Sequence, residues 1–235
     1  MALLDFDGDY GRTYNARIRR LIPAYDTIFE LAAATAAALH PQAQRVLVVG
    51  VGTGTELPGL LAALPQALFT LVEPSTQMRE LCNALIAEIG ASERVAWGPD
   101  ILEVENGDAA GGYELVNSHN VLHVLAPPEQ ERLLRQMAAR VACGGCLLLS
   151  SYCEAAPPGL ELGLAIGRAR FEALGMDAAT IEAVMAARNS KLFSMDADRL
   201  ERELIQAGLE PPVQLLQALF NHLWLSRRCE GGATA

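Results

Sequence analysis

Three glycines follow an apolar run near residue 50, and an acid ends the next apolar run. Residues 46–49 are all branched and apolar, and Gly50, Gly52 and Gly54 come after them at alternate positions. Glycine allows the backbone to approach a ligand closely, and the helix after such a turn presents its N-terminus to that ligand. Glu73 comes about twenty residues later, where an acid accepts hydrogen bonds from both hydroxyls of a ribose. The loop, the spacing and the acid together predict a nucleoside-binding site.

The spacing of the glycines separates this loop from a dinucleotide-binding one. A nicotinamide dinucleotide fingerprint is G-x-G-x-x-G. Here Thr55 stands at the sixth position, and the last glycine, Gly54, comes one residue early. The ligand therefore needs no pyrophosphate. A nicotinamide-dependent oxidoreductase remains an alternative, which a nicotinamide cofactor bound to the purified protein would favour.

Strand-like and helical patterns alternate along the chain. The apolar runs cover residues 46–50, 68–73, 94–97, 114–117 and 146–151. Two helical faces with a period of about 3.6 residues lie between them. They comprise Met78, Leu81, Cys82, Leu85 and Ile89, and then Leu133, Leu134, Met137 and Val141. Continuous apolar strands that alternate with helices predict a parallel sheet covered on both faces.

The C-terminal part predicts a different arrangement. A helix over residues 197–207 has its N-cap near residues 194–196 and ends at Gly208, a favourable residue after a helix. Residues 211–228 predict two strands with a tight turn at Asn221, so the last strand is antiparallel. We predict an α/β fold: a Rossmann-like, doubly wound, seven-stranded sheet with an antiparallel last strand and a helical lid insertion.

This fold divides into four segments of one domain. We expect an N-terminal helical cap over residues 1–44 and a nucleotide-binding core over residues 45–151. A long helical segment, residues 152–193, is expected to be a lid over the substrate, because insertions of this size beside a sheet edge usually serve binding. The final helix and hairpin occupy residues 194–228.

Composition excludes several classes of function. The 235 residues carry a net charge of −10, and no basic stripe is present, so we expect no direct nucleic-acid partner. No apolar run approaches the roughly 20 residues of a membrane helix, so no membrane partner is expected. The first ten residues are acidic where a signal peptide would be basic, which predicts a cytoplasmic protein. Five cysteines, an odd number, argue against a disulfide framework.

We expect no metal site. The run "DFDGDYG" is similar to a calcium loop, but Tyr10 stands where glycine is required and Ala16 where glutamate is required. Cys143 and Cys146 have the spacing of a metal or redox pair, but no second ligand pair matches them. The two glycines between them favour a turn before the fifth strand.

Four motifs in order resemble those of a known family. "VLVVGVGTG", "LVEPSTQM", "YELVNSHNVLHVL" and "ACGGCLLLS" are similar to the successive motifs of class I S-adenosylmethionine (SAM)-dependent methyltransferases. The resemblance covers roughly residues 45–151 and implies SAM as the cofactor. One departure is Val48, where the family often has an acid that contacts the ligand's amino group or the loop.

The resemblance also implies roles for individual residues. The glycine loop would line the methionine part of SAM, and Glu73 would bind the ribose hydroxyls. Asp100 would bind the exocyclic amine of the adenine, and Ser118 and His119 would lie beside the sulfonium. The implied cofactor contacts are Gly50, Val51, Gly52, Thr53, Gly54, Glu73, Pro74, Ser75, Met78, Asp100, Ile101, Ser118 and His119.

A narrower resemblance extends over almost the whole chain. "RRLIPAYDTIFELAA", "SMDADRLERELIQAGL" and "LQALFNHLWL" are similar to segments of the carboxy-SAM synthase of the tRNA uridine-5-oxyacetic acid pathway. That enzyme would need arginines to hold carboxylates. The candidates are Arg20, Arg168, Arg170 and Arg188, and solvated helix arginines are the alternative for each.

The acceptor is expected to be a small molecule. Methyl transfer requires positioning above all, and a base only where the nucleophile carries a proton of high pKa. His119 and His123 are the candidate bases, with a packed histidine as the alternative for His123. Tyr14 and Tyr25 are candidate substrate contacts, with aromatic packing as the alternative for each. The apolar residues of the lid favour an apolar or aromatic acceptor.

Three hypotheses with SAM as the ligand therefore remain beside the nicotinamide-dependent oxidoreductase. The first is a SAM-dependent methyltransferase that acts on a small molecule, and the second is a carboxy-SAM synthase-like enzyme. The third, motivated by Val48, is a SAM-binding protein without catalytic activity. The apolar lid also allows a homodimer.

Overall fold

The computed structural model describes residues 5–100, 102, 112–156 and 158–229. In these residues, seven strands form one sheet. They are β1 (Arg45–Val49), β2 (Leu68–Val72), β3 (Val95–Trp97), β4 (Tyr113–His119), β5 (Val141–Tyr152), β6 (Val213–Ala218) and β7 (Asn221–Arg227). Within the described part of the chain, no helix is long and apolar enough to cross a membrane.

Eight α-helices surround or extend this sheet in the described residues. They are α1 (Asp9–Leu21), α2 (Tyr25–Leu39), α3 (Leu57–Ala63), α4 (Thr76–Glu88), α5 (Pro127–Ala139), α6 (Gly159–Ala173), α7 (Ala178–Ala186) and α8 (Ala197–Gln206). Of these, α6 and α7 occupy the segment that the sequence predicts as a lid.

The strand order is β3-β2-β1-β4-β5-β7-β6. Neighbours from β3 to β5 are parallel, whereas β7 is antiparallel to both β5 and β6. The predicted seven-stranded α/β sheet with an antiparallel last strand is therefore confirmed. Its order reverses between β1 and β4, and the carboxyl ends of these central strands form the edge where such sheets bind ligands.

The core lies on both faces of the sheet because the central strands are apolar on both sides. One face packs against α2, α3 and α4, with Val46, Val48 and Leu57 fully buried. The opposite face packs against α5 and α8, with Leu134 and Leu204 among the buried residues. Burial of a leucine or valine side chain stabilises the fold by roughly 1.5–3 kcal/mol. The two apolar layers hold the strand ends, and thus the ligand edge, in place.

Local signals for α8 are confirmed. The Asp196 side chain accepts a hydrogen bond from the Arg199 N–H at 2.8 Å, as an N-cap residue does. The helix ends at Gln206, one residue before the prediction, and Gly208 has a φ of +81°. A positive φ costs glycine little, so Gly208 ends the helix as the sequence predicts.

Three local predictions were wrong, and the first two concern the final turn and the end of α5. The final turn is not at Asn221, which already pairs with Ala218; the turn residues are Leu219, with φ +54°, and Phe220. Val141 does not continue the face of α5 but begins β5.

The glycines between Cys143 and Cys146 do not form a turn before the strand. Both cysteines lie inside β5, where the pairing with β4 shifts register between Tyr113 and Leu115. Gly144, with φ +74°, accommodates this irregularity. Cys143 is exposed and Cys146 buried, and both are free thiols.

Candidate active site

The glycine loop follows β1 at the carboxyl edge of the sheet. The Gly50 N–H donates to the Val72 carbonyl at 2.8 Å, and the Gly54 N–H donates to the Val51 carbonyl at 2.9 Å. Gly50 has a φ of +68°, and a methyl group there would clash with Cγ2 of Val121. Only glycine therefore allows the segment after β4 to pack directly on this loop.

Gly52 differs from its neighbours because the space beside it is open. Its φ is +55°, and a methyl group built on it would meet no atom within 4 Å. Its N–H donates to Oε2 of Glu73 at 2.9 Å. The structure thus brings together the two features that the sequence predicts as a nucleoside site, the middle glycine and the acid after β2.

Glu73 is held in a fixed orientation. Oε1 of its carboxylate accepts the Ser75 N–H at 2.9 Å, and Oε2 accepts the Gly52 N–H. Burial raises the pKa of Glu73, and these two N–H donors oppose the rise. Each carboxylate oxygen keeps a second lone pair, so Glu73 can still accept two hydrogen bonds from a ligand.

The other predicted adenine contacts surround the start of α4 and the end of β3. Ser75 is the N-cap of α4, and its Oγ accepts the Met78 N–H at 3.2 Å. Pro74 precedes this cap, and Met78 is only 2% exposed. Asp100 accepts the Leu102 N–H at 2.9 Å. Ile101 lies outside the described residues.

The N-terminal segment covers this edge. Thr53 is buried, and its Oγ donates to Oδ1 of Asn15 in α1 at 2.8 Å. Asp7 accepts from Oγ of Ser75 at 2.8 Å and from the Gln77 N–H at 2.9 Å. Hydrogen bonds thus tie the segment both to the glycine loop and to the start of α4.

The two predicted tyrosines, Tyr14 and Tyr25, belong to α1 and α2. Tyr25 is 5% exposed, and burial raises its pKa to about 12, opposed by hydrogen bonds to Tyr14 and Thr55. The edge of its ring also packs on Phe29. Tyr25 is therefore a buried neutral phenol that links α2 to the loop, whereas Tyr14 faces the cavity described below.

His119, the last residue of β4, is enclosed. Its Nε2 lies 2.8 Å from Oδ1 of Asn117, and its Nδ1 lies 3.1 Å from Oγ of Ser150. The edge of the Phe29 ring packs on the imidazole, and burial lowers the pKa of His119 to about 3. With both nitrogens engaged and the ring neutral, this geometry gives His119 no free lone pair for a proton.

His123 presents a hydrogen-bond donor to its surroundings. Its Nδ1 accepts the Tyr152 N–H at 3.3 Å, with Oγ of Ser151 at 3.4 Å. Burial lowers the pKa of His123 to about 4, so the ring is neutral and its hydrogen is on Nε2. Nε2 has no protein partner among the described residues. The geometry therefore favours hydrogen-bond donation over the predicted action as a base.

Polar atoms without partners gather at the end of β4. Nδ2 of Asn117, Oγ of Ser118 and both amide atoms of Asn120 are buried and lack a hydrogen-bond partner among the described residues. An unpaired buried polar group costs about 1–3 kcal/mol. Asn120 also has a φ of +60°. Unpaired polar atoms and an uncommon backbone conformation at a strand end are typical of a ligand site.

A cavity of about 170 Å³ adjoins this strand end. Its floor is formed by Asn120, His123 and Tyr152, and α1 and the helices α6 and α7 close over it. Most of the lining is apolar and aromatic: Tyr14, Ile18, Leu164, Phe171, Met185 and Phe220. This composition is that of a small-molecule site.

The predicted arginines occupy three different environments. Arg168 is 40% exposed and pairs with Glu182 at 2.7 Å. Arg188 lines the cavity, and its guanidinium makes two hydrogen bonds to Glu154, at 2.5 and 3.0 Å. Arg170 also lines the cavity and donates to the backbone oxygen of Arg20 at 2.7 Å. Arg20 itself is exposed.

Sequence reasoning missed two acids and one amide of this region. Asn120 lies inside a quoted motif, but nothing in the sequence signals its positive φ. Glu154 becomes relevant only because the fold brings it to Arg188. Glu56 is 4% exposed beside the loop, and burial raises its pKa to about 8. Its position two residues after Gly54 was the one available signal.

Known proteins share part of this sequence pattern and the fold. Residues 47–147 match the family model described as a methyltransferase domain. A comparison with curated proteins gives no significant match. Many solved structures match. One is an O-methyltransferase family protein from Burkholderia thailandensis, with a TM-score of 0.64 and 15% identity over 97% of this chain and 65% of that one.

Two further solved structures cover most of the chain. Magnesium protoporphyrin IX methyltransferase from Synechocystis PCC 6803, with bound S-adenosylhomocysteine (SAH), has a TM-score of 0.69 at 15% identity, over 95% of this chain and 97% of that one. Mitomycin 7-O-methyltransferase has a TM-score of 0.67 at 17% identity, over 97% of this chain and 61% of that one. This chain thus spans less than two thirds of the two O-methyltransferases.

The sheet order, the glycine loop and these likenesses define the class I SAM-dependent methyltransferase fold. Residues 47–147, less than half of the chain, match a methyltransferase domain, a family that uses SAM as its cofactor. The resemblance to the carboxy-SAM synthase branch is not confirmed by these comparisons.

Proposed function

We propose that this protein transfers the methyl group of SAM to a small, largely apolar acceptor bound in the cavity beside β4. The observation that carries the proposal is that the glycine loop and the cavity share two walls. In α1, Tyr14 lines the cavity while Asn15 contacts Thr53 of the loop. After β4, Asn120 lines the cavity, and the next residue, Val121, packs on Gly50.

The residues at the sheet edge fit the cofactor. The open space beside Gly52 can take the methionine part, because a side chain there would fill that space. The two free lone pairs of Glu73 suit a ribose diol. The unpaired atoms of Asn117, Ser118 and Asn120 offer hydrogen bonds that no described residue satisfies. When bound, SAM supplies a methyl group that the acceptor's nucleophile takes as the S–C bond breaks and SAH is left.

The residues of the cavity position the acceptor and exclude water. Holding a nucleophile in line with its target lowers the barrier without any catalytic base. Nε2–H of His123 and the Asn120 amide can hydrogen-bond an acceptor atom near the cofactor edge. Because neither His119 nor His123 has a free basic nitrogen, the arrangement favours a nucleophile that ionises readily, such as a phenol oxygen.

Binding of SAH, the product, tests the cofactor half of the proposal. Replacement Glu73→Gln weakens the carboxylate's acceptor capacity toward the ribose, so we expect SAH affinity to fall about tenfold or more. Glu88→Gln, an exposed glutamate in the last turn of α4, is the matched control. Isothermal titration calorimetry that shows equal affinity for both variants would contradict the assignment of Glu73.

Transfer of a labelled methyl group tests the catalytic half. Incubation with methyl-labelled SAM and a panel of phenols, catechols and aromatic amines should label at least one acceptor. SAH binding without label transfer to any acceptor would favour the hypothesis of a non-catalytic SAM-binding protein.

A further inference from the structure

We propose that the acceptor is an aromatic hydroxy acid whose carboxylate is held by Arg170 and whose hydroxyl lies at His123 and Asn120. This inference rests on the proposed methyltransferase function and names the substrate class of the same site. Three features of the cavity carry it: a cation without a counter-charge, hydrogen-bond donors that follow β4 in the same lining, and a mostly apolar volume.

Arg170 is the cation that the cavity leaves without an anion. It is only partly exposed, and its one hydrogen bond in the described part of the chain goes to the Arg20 carbonyl. No described carboxylate forms an ion pair with it. Burial lowers the pKa of Arg170, and the Arg20 carbonyl that it contacts carries no full negative charge. A guanidinium has five N–H donors and binds a carboxylate in a bidentate manner, so an anionic ligand would supply the missing counter-charge.

The other lid arginines are already neutralised. Arg188 is bound to Glu154 through two nitrogens, and the Tyr152 hydroxyl donates to the same carboxylate at 2.5 Å. Because the charge of Arg188 is already paired, this residue forms part of the cavity wall and does not offer a site for an anion. Arg168 lies on the same helix as Arg170 but pairs with Glu182. Among the described lid arginines, Arg170 alone combines a place in the cavity lining with unused charge.

The wall at the cofactor edge suits an oxygen atom. Nε2 of His123 carries a hydrogen, because Nδ1 is fixed as an acceptor by the Tyr152 N–H. The Asn120 amide has neither its donor nor its acceptor engaged in the described structure. Two donors stabilise a phenolate more than a phenol, so they favour binding of the phenolate, whose proton is left to the bulk solvent. The oxygen then forms the new C–O bond as the methyl leaves the sulfonium.

The volume of the cavity suits one aromatic ring. An apolar cavity of about 150 Å³ accommodates benzene. The cavity here has about 170 Å³, with the rings of Phe171 and Phe220 in its lining. A ring with a short acidic side chain therefore matches its size, and aromatic edges match the flat body of such an acceptor.

The test compares matched acids and alcohols. The probes are para-hydroxybenzoate, para-hydroxyphenylacetate and para-hydroxycinnamate, each paired with the corresponding alcohol. Affinity is measured by calorimetry with SAH at saturation, since SAH binding is a separate readout of the proposed function. We expect at least one acid to bind tenfold or more tightly than its alcohol, and the preference to weaken at high salt.

Variants of two arginines on α6 test whether Arg170 causes the preference for acids over alcohols. Arg170→Gln should abolish it, Arg170→Lys should restore part of it, and Arg168→Gln should retain it in full. SAH affinity and the thermal unfolding midpoint show whether each variant is intact. The inference would be overturned if no acid bound more tightly than its alcohol, or if no probe bound at all. Normal SAH binding in the same experiment would leave the proposed function standing. A preference that survives in Arg170→Gln would overturn the inference as well.

Discussion

Replacement of Gly52 by alanine separates ligand binding from folding. Gly52 has a φ of +55° and empty space where a Cβ would lie. The left-handed backbone costs an L-residue about 1–2 kcal/mol, and no steric cost adds to it in the free protein. Gly52→Ala should therefore lower the free energy of unfolding by about 1–2 kcal/mol. The added methyl group, however, occupies the space that we assign to the methionine part of the cofactor.

The loss of affinity follows from that overlap. Forcing an extra methyl into a filled site costs about 1–3 kcal/mol, which corresponds to a roughly five- to 150-fold weaker SAH affinity. Gly90→Ala is the matched control, because Gly90 has a φ of +67° and also has no neighbour within 4 Å of a built Cβ. It lies after α4, away from the loop, and should show the same loss of stability with unchanged SAH affinity.

Gly50→Ala completes the series. Its φ is +68°, but its Cβ would clash with Val121. Backbone strain and overpacking together should lower the free energy of unfolding by about 2–5 kcal/mol. Urea unfolding and calorimetry with SAH measure both quantities on each variant. The reasoning is refuted if Gly52→Ala binds SAH as tightly as Gly90→Ala, or if Gly50→Ala is no less stable than the other two.

Two further predictions concern stability. Asp196→Ala removes the N-cap of α8 and should cost about 1 kcal/mol in urea unfolding, whereas Asp198→Ala, in the first turn of the same helix, should cost less. Equal losses would argue against the cap. Glu56 has a pKa of about 8 in the folded protein, above its ordinary value of 4.5, so the folded state holds an extra proton between these values. Stability should therefore fall as pH rises; between about pH 5 and pH 7 the wild type should lose roughly 2 kcal/mol more than Glu56→Gln. If the free energy of unfolding, measured with urea, changed equally in both proteins between these pH values, the result would contradict this prediction.

The sequence predicts the sheet because its signals are local and periodic. Apolar runs, the Asp196 cap and Gly208 each act within a few residues, and all three agree with the structure. The turn at residues 219–220 was missed because Leu219 adopts a positive φ that leucine itself does not favour. The pairing of β6 with β7 fixes the position of this turn, and no local sequence pattern indicates that pairing.

The site is predictable only in part for the same reason. Gly52 and Glu73 belong to recognisable motifs, and the fold brings them within hydrogen-bond distance. The difference between Arg168, Arg170 and Arg188 depends on which carboxylate the fold places beside each one. From the sequence alone the three lid arginines are equivalent. In the structure, Arg168 forms an exposed ion pair, Arg170 is a cation in the cavity lining, and Arg188 forms part of the cavity wall through its pair with Glu154.

A crystal structure of the protein with SAH tests the central claim most directly. The account predicts that the ribose hydroxyls bind the Glu73 carboxylate, that the methionine part lies beside Gly52, and that the sulfur faces Asn120 and the cavity. SAH bound away from the glycine loop, or a sulfur separated from the cavity by protein, would contradict it.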